Sequence, residues 1–410
     1  MKANPKLPPA LAEALGGGTP DPGALLDALA PALPLIGRMA ETPQEPEWHG
    51  EGDVRTHTEM VIAEAIRLAA DHGLSGERRA ALIIGAALHD IGKPLVTREE
   101  SADGRTRITS PRHAARGRSY AAPRLPALGL PLAVEGAALS AIKRHSPSGK
   151  AFRKDYPLRN PRPARCADPA LIYLLETADL RGRICADLPK KLERLEYFRL
   201  AAEDAGVWDR DPYADWAARL ADLLAGEPAS AHAYALAEAI RMHEAGEIES
   251  PEEAAAITHA RRAKAPRFTL TCGTSGSGKS TWVRDHAADA EVVSMDAWRE
   301  KLGGRRGNQS ENGRVFQAAR EQLKAALRGG RDAIWDATSL RADGRGALVA
   351  LAHAYGATST IVAFPSAPDE ARRRNRTRRD PVPQSILDRQ FETLEWPEIT
   401  EAHRVESYRP

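Results

Sequence analysis

Cysteine is scarce in this chain: the 410 residues contain three, Cys166, Cys185 and Cys272, and no CxxC pair. A disulfide scaffold and a cysteine-ligated zinc ribbon are thereby excluded as organising principles, and a reducing, cytoplasmic setting is expected. No long apolar run follows the lysines of the opening MKANPKLPPALAEALGGG, so neither a signal peptide nor a membrane span is expected. Internal repeats are lacking, and almost nothing before residue 266 reads as a strand. A large net charge is missing too, with 58 Lys and Arg against 56 Asp and Glu. Hydrophobic residues at 42% and charged residues at 28% fit a globular protein and argue against collagen-like, disordered and membrane classes. The length predicts two or three domains.

What is present begins with an uneven distribution of charge. Residues 105–165 carry fourteen Lys or Arg and two acids, Glu135 and Asp155, a local +12 in a chain whose total is +2. A second basic cluster comprises Arg372, Arg373, Arg374, Arg376, Arg378 and Arg379. Clusters of this kind suit a polyanion, either nucleic acid or nucleotide phosphate, although arginine-rich solvated surfaces share the composition.

Residues 1–47 are rich in Pro, Gly and Ala, with short helices expected at 22–30 and 33–40. Val61, Ile62, Ala65, Ile66 and Ala69 give a helical stripe over 56–72. The run AALIIGAALHD is apolar nearly all round, which predicts a buried helix over 77–93. Further helices are expected at 130–144, 169–179, 190–206, 213–226, 230–246 and 251–264. The pattern changes at Ala265-Pro266, where RFTLTCG reads as a strand and strand-like and helix-like segments then alternate. The expected architecture is thus all-α followed by α/β with a parallel sheet. Its divisions are 1–47 helical or flexible, 48–206 the first domain, 207–264 a helical connector and 265–410 the second domain.

Gly273-Thr274-Ser275-Gly276-Ser277-Gly278-Lys279-Ser280 matches GxxxxGK[ST], after a predicted strand and before a predicted helix. The glycines let backbone N–H groups curl around phosphate, and the helix N-terminus adds positive potential. Lys279 would neutralise the β- and γ-phosphates of ATP or another NTP, Ser280 would ligate Mg²⁺, and Thr281 continues the loop into the helix. After the second strand, Asp296 is poised to take an acceptor hydroxyl's proton, and Arg299, three residues on, to grip an anionic acceptor. Asp336 ends the third strand, where it would support Mg²⁺. Arg374 and Arg378 follow the fourth, where a basic lid would close on the transferred phosphate.

This segment, roughly residues 266–395, resembles the polynucleotide 5′-kinase family, with D-x-x-R after strand two and an R-x-x-x-R lid. The resemblance implies Asp296 as general base, Arg299 on a phosphate of the acceptor strand, and Arg374 or Arg378 on the ATP phosphates.

Six of the twelve histidines lie between 49 and 145, namely His49, His57, His72, His89, His113 and His145. The pair His89-Asp90 ends the buried helix, and a buried Asp needs a partner or a metal. Asp179 is a second acid on an apolar helix. The set suits a histidine-rich metal site.

These residues resemble the HD phosphohydrolase pattern H…HD…H…H…D. The segments Trp48-His49-Gly-Glu51-Gly-Asp53-Val-Arg-Thr-His57 and Leu88-His89-Asp90-Ile-Gly92-Lys93 look like the HD module of bacterial tRNA nucleotidyltransferases. So do Ser110-Pro-Arg-His113 and Ala178-Asp179-Leu-Arg-Gly-Arg183, and the match spans roughly residues 34–200. The resemblance implies an all-α metal-dependent 2′,3′-cyclic phosphodiesterase and phosphatase. His57, His89, Asp90 and Asp179 would hold a first metal, with His113 and His145 on a second ion or on the scissile phosphate. Mn²⁺, Ni²⁺ or Co²⁺ is expected, as one or two ions. Lys93 and Arg183 would contact phosphate, His49 lies near the substrate by motif, and His72 reads as a cap or surface residue. One departure is the sequence after His113, AlaAlaArgGly, which lacks the second histidine and the glutamate of the relatives. With 47 residues ahead of the module, no nucleotidyltransferase domain and no CCA addition are expected.

The two modules in series resemble the HD–polynucleotide kinase fusion family. That implies healing of RNA or DNA ends, with a functional link to a ligase and no membrane association. The alternative is an HD nucleotidase fused to a nucleotide or small-metabolite kinase. A non-catalytic, NTP-gated adaptor is a more distant reading, because an adaptor has no need for this set of acids and histidines.

Overall fold

The computed structural model describes residues 7–102, 104–146, 162–208, 210–303, 312–378 and 380–409. Arg379 and residues 147–161 of the basic stretch lie outside the described residues. The chain divides into two compact units, Met1–Pro212 and Tyr213–Pro410.

In the first unit, Asp53 caps the Val54–Asp71 helix, its Oδ1 accepting from the N–H groups of Arg55 at 2.8 Å and Thr56 at 2.9 Å. His72 is the C-cap of this helix. The apolar stripe Val61, Ile62, Ala65 and Ala69 is fully buried. Every residue from Arg79 to Leu88 of the Gly76–Leu88 helix is buried, as its all-round apolarity requires. The one charge in this buried run, Arg79, donates to the Ala14 carbonyl at 2.9 Å and to that of Gly18, which pins the Pro9–Gly16 helix. The Leu132–Arg144 helix crosses closely at Gly85, where an added Cβ would lie 3.2 Å from Ala141. The Pro169–Arg181 helix completes the layer, started by the Asp168 cap.

An all-α reading needs one correction here: β1 (Arg98–Ala102) and β2 (Arg105–Thr109) form an antiparallel hairpin. Its strands are exposed and charged on both faces, so no apolar alternation marks them in the sequence. The hairpin leads into the His113–Ala121 helix.

The second unit begins with helices Ala214–Leu223, Ala229–Glu244 and Pro251–Thr258, packed on Leu220, Leu224, Ala239, Met242 and Ile248. They belong to the same compact unit as the α/β part. Glu238 pairs with His403 at 3.0 Å, and His403 stacks on His353. Five parallel strands follow, β3 (Arg267–Cys272), β4 (Glu291–Ser294), β5 (Ala333–Asp336), β6 (Thr358–Ala363) and β7 (Arg404–Ser407). Their order is β4-β5-β3-β6-β7, all in parallel register. The chain leaves central β3 with neighbours built on both sides later, so the loop after β3 sits at the topological switch point, where α/β sheets take ligands. Buried Arg345 braces the sheet behind that loop. It donates to both Glu401 oxygens, at 2.7 and 2.9 Å, and to Ser339 O at 2.9 Å. Helices Pro368–Arg376 and Gln384–Thr393 follow β6. Among the described residues no helix is long and apolar enough to cross a membrane.

Candidate functional sites

Three helix ends and two helix starts converge in the first unit. His57 lies on the first turn of Val54–Asp71, His89-Asp90 follow Gly76–Leu88, His145 caps Leu132–Arg144, and Asp179 lies on the last turn of Pro169–Arg181. His113 opens its own helix. The hydrogen bonds made by the ring nitrogens orient the set. Nδ1 of His89 faces Ala86 O at 2.7 Å, that of His113 faces Ser110 O at 2.8 Å, and that of His145 faces Ile142 O at 2.8 Å. A main-chain carbonyl only accepts, so each Nδ1 carries the proton and each Nε2 presents a lone pair.

Those Nε2 atoms gather on carboxylates. His57 Nε2 lies 3.0 Å from Asp179 Oδ1 and 3.3 Å from His89 Nε2, and His89 Nε2 lies 3.2 Å from Asp90 Oδ2. On the other Asp90 oxygen, Oδ1, converge His113 Nε2 at 3.4 Å and His145 Nε2 at 3.8 Å, themselves 3.2 Å apart. Ligand atoms of His57, His89 and Asp90, and separately of Asp90, His113 and His145, lie within 4.8 Å of one another. Asp90 is thus common to two triads. It is 1% exposed, and neither of its oxygens has a hydrogen bond of good geometry among the described residues. A buried carboxylate whose oxygens face imidazole lone pairs is the donor set of a transition-metal site, and divalent metal fits it.

Cations balance the acids. Burial tends to raise the Asp90 carboxyl, but the Lys93 ammonium foremost outweighs it, and the carboxyl lies well below the usual carboxylate range. Asp179 is likewise held low against burial, foremost by the Arg183 guanidinium. Lys93 Nζ lies 2.7 Å from Asp90 Oδ2 and donates to Gln44 Oε1 at 2.6 Å. Arg183 Nε donates to Asp179 Oδ1 at 3.0 Å and its Nη2 to Oδ2, so its guanidinium grips an acid of the cluster. Burial pushes His145 down to about 3 and also lowers His113, which leaves both rings neutral, as ligands must be. His49 is buried beside His57, lowered by that burial to about 4.

Two residues here have no role in the sequence reading. Gln44 anchors Lys93, and Glu51 meets both His49 and His57. Glu51 stands inside the motif of His49 and His57, which is the signal that points to it; Gln44 has none.

In the second unit two glycines shape the loop after β3. Gly276 and Gly278 take φ of +81° and +101°, and a Cβ on Gly276 would lie 2.4 Å from Ala371 O. Gly273 N–H donates to Thr338 O at 2.9 Å. Lys279 starts the Lys279–His286 helix and donates to Thr274 O at 2.7 Å. Burial draws its ammonium down to about 8, opposed by Asp336. Burial raises the Asp336 carboxyl in turn, opposed by Lys279.

A pocket of about 410 Å³ is lined by Ser275, Lys279 and Ser280 from the loop, and by Asp296, Arg299, Asp336 and Arg378 from later segments. Asp296 and Arg299 share the Met295–Gly303 helix and pair at 2.6 Å. The structure does not bring Arg374 to this lining; its Nε pairs with Glu370 Oε1 at 2.5 Å. Thr274 and Ser277 are buried within the loop, and Thr281 is exposed on the helix that follows. Asp380 and Gln390 line the pocket without a sequence signal, and Gln390 Oε1 accepts the Ser275 N–H at 2.7 Å.

Comparison with known proteins agrees with this division. Residues 54–200 match the HD domain family, and residues 268–397 match the AAA domain family. The Multifunctional CCA protein of Thioalkalivibrio sulfidiphilus (strain HL-EbGR7) is 41% identical over 66 residues, 16% of this chain and 14% of that protein. That similarity concerns its HD region, and the match thus spans a small share of this relative's length.

Proposed function

We propose that this chain, an HD domain followed by a kinase-like P-loop domain, heals broken nucleic-acid ends. The HD cluster would hydrolyse 2′,3′-cyclic phosphate and 2′- or 3′-phosphate termini, and the P-loop site would phosphorylate 5′-hydroxyl termini with ATP. A ligase could then seal the two ends. The observation that carries the reading is the pairing of chemistries within one pocket. The phosphate-binding Lys279 and Ser280 share a lining with the carboxylate–guanidinium pair Asp296–Arg299. A nucleotide-binding switch alone has no use for an acceptor-type carboxylate there.

In the P-loop site, Asp296 takes the proton of the attacking hydroxyl and Arg299 holds a phosphate of the acceptor strand. Lys279 and Arg378 neutralise charge on the transferred phosphate, and Ser280 with Asp336 would hold Mg²⁺. In the HD site, His57, His89, Asp90 and Asp179 would hold one divalent ion of the Mn²⁺, Ni²⁺ or Co²⁺ class. Asp90, His113 and His145 would hold a second. When bound, such an ion supplies Lewis-acid charge stabilisation and an activated water. Lys93, anchored by Gln44, offers its ammonium to the phosphate oxygens.

The test is incubation with ATP, Mg²⁺, Mn²⁺ and an oligonucleotide bearing a 5′-hydroxyl and a 2′,3′-cyclic phosphate, with both ends followed. Conversion of both ends is expected for such an RNA strand, and for a DNA strand bearing a 5′-hydroxyl and a 3′-phosphate. Turnover of mononucleotides with neither strand end altered would favour the nucleotidase–metabolite kinase reading instead.

A further inference from the structure

His57 differs from the other histidines of the HD cluster. His89, His113 and His145 each set their tautomer with a neutral main-chain carbonyl three residues back in sequence. The corresponding carbonyl for His57, that of Val54, takes the Thr58 hydroxyl at 2.7 Å. His57 Nδ1 faces two acceptors instead: the Gly182 carbonyl, to which it is hydrogen-bonded at 3.3 Å, and the Glu51 carboxylate, whose Oε1 is in ion-pair contact at 2.9 Å. The Glu51 side chain is 1% exposed and fully engaged. Oε1 also receives His49 Nδ1 at 2.8 Å, and Oε2 accepts the Ile184 N–H at 2.9 Å.

The backbone around Glu51 is fixed as well. Gly50 N–H donates to Ile184 O at 2.9 Å, and a Cβ on Gly50 would lie 2.9 Å from that oxygen. Gly50 and Glu51 are therefore seated on Ile184, the residue directly after Arg183, the partner of Asp179. One carboxylate ties the helix that carries His57 to the helix that carries Asp179.

Resting on the reading of the cluster as a metal centre, we infer that Glu51 is the positioning residue of its first triad: it holds His57 Nδ1–H so that Nε2 is presented to the ion. A carboxylate acceptor makes a stronger hydrogen bond than a carbonyl and improves the imidazole as a donor to metal. Three N–H donors surround this one side chain. Glutamate satisfies all of them. Glutamine cannot, because its amide would set an NH₂ against either Ile184 N–H or the two imidazole N–H groups. The position thus calls for a charged acceptor rather than for shape alone.

Full-length protein stripped with a chelator would be titrated with Mn²⁺ or Co²⁺ alone, against a chromophoric competitor. Wild type, Glu51→Gln, Glu51→Asp and Asp90→Ala would be compared. Glu51→Gln is expected to weaken metal binding about 10–100-fold and to shift the visible Co²⁺ spectrum, with the number of ions bound unchanged. Glu51→Asp, which keeps the charge, is expected to lose less, and it serves if the glutamine variant does not fold. Affinity within about twofold of wild type for both variants would overturn the inference. So would a loss as complete as that of Asp90→Ala, since Glu51 would then be a ligand itself. Absence of metal binding by wild type would instead sink the metal-centre reading on which the inference rests.

Discussion

Gly92→Ala should cripple the HD site without replacing a single ligand. Gly92 lies two residues after Asp90, where the turn abuts the start of the His113–Ala121 helix. An added Cβ would fall 2.0 Å from His113 O, 2.6 Å from Gly117 N and 2.9 Å from Gly117 Cα. Ordinary contact begins near 3.4 Å, so the helix start must retreat by about 1.4 Å. The obstacles are backbone atoms, which cannot rotate aside. Overpacking of this kind typically costs about 1–3 kcal/mol, so the domain is expected to stay folded. His113 moves with its own carbonyl, and its Nε2 sits 3.4 Å from Asp90 Oδ1 and 3.2 Å from His145 Nε2. Misplacement by about 1 Å can cost 10²-fold in rate. Hydrolysis of a 2′,3′-cyclic phosphate end should thus fall about 10²-fold, with fewer ions bound per chain and 5′-phosphorylation unchanged. Gly117→Ala is a graded control: its Cβ would meet Gly92 N at 2.9 Å, a milder clash, and should cost less. Undiminished hydrolysis and metal content in Gly92→Ala would refute the claim that this backbone contact sets His113 against Asp90.

In the kinase pocket, Asp296→Ala should cut phosphoryl transfer about 10²–10⁴-fold while ATP still binds, and Arg299→Ala should raise KM for the oligonucleotide. Weakened ATP binding with an unchanged acceptor KM would reverse those assignments. Burial lowers Lys279 to about 8, and bound phosphates favour its charged form. ATP affinity measured by calorimetry should therefore be full below about pH 8 and fall roughly tenfold per unit above it, until the pKa of the complex is reached. A flat profile up to about pH 9.5 would contradict a Lys279–phosphate contact. Glu401→Gln would leave Arg345, which is 0% exposed, without its charge partner. Breaking a buried pair costs about 3–5 kcal/mol, here toward the low end because Glu401 is 18% exposed. Denaturant unfolding followed by tryptophan fluorescence should show the loss in the second unit, and an unmoved midpoint would mean the pair is dispensable.

The features legible in the sequence are those that break a local rule. A Gly-Ser run between a strand and a helix is odd unless backbone amides must point inward, and Gly276 and Gly278 do hold positive φ there. His89-Asp90 stands out because an acid at the end of an all-apolar helix demands a partner. The α/β alternation was readable because β3, β5 and β6 are buried on their inner positions. Features built from distant pieces left no local trace. Glu51 meets Ile184 across 133 positions, and Gln390 meets Ser275 across 115. The β1–β2 hairpin has no signature in the sequence because its charged strands carry no apolar alternation. Arg374 and Arg378 look equivalent in the R-x-x-x-R run; Glu370, one turn before Arg374, is what turns that arginine aside.

The central claim is that two separate centres in one chain act on the two ends of a break. The most direct measurement supplies one oligonucleotide with a 5′-hydroxyl and a 2′,3′-cyclic phosphate, plus ATP and both metals, to Asp90→Ala and Lys279→Ala proteins of verified fold. Asp90→Ala should phosphorylate the 5′ end and leave the cyclic phosphate intact. Lys279→Ala should open the cyclic phosphate and leave the 5′ end unmodified. Loss of both reactions in either folded variant, or of neither, would contradict two independent centres.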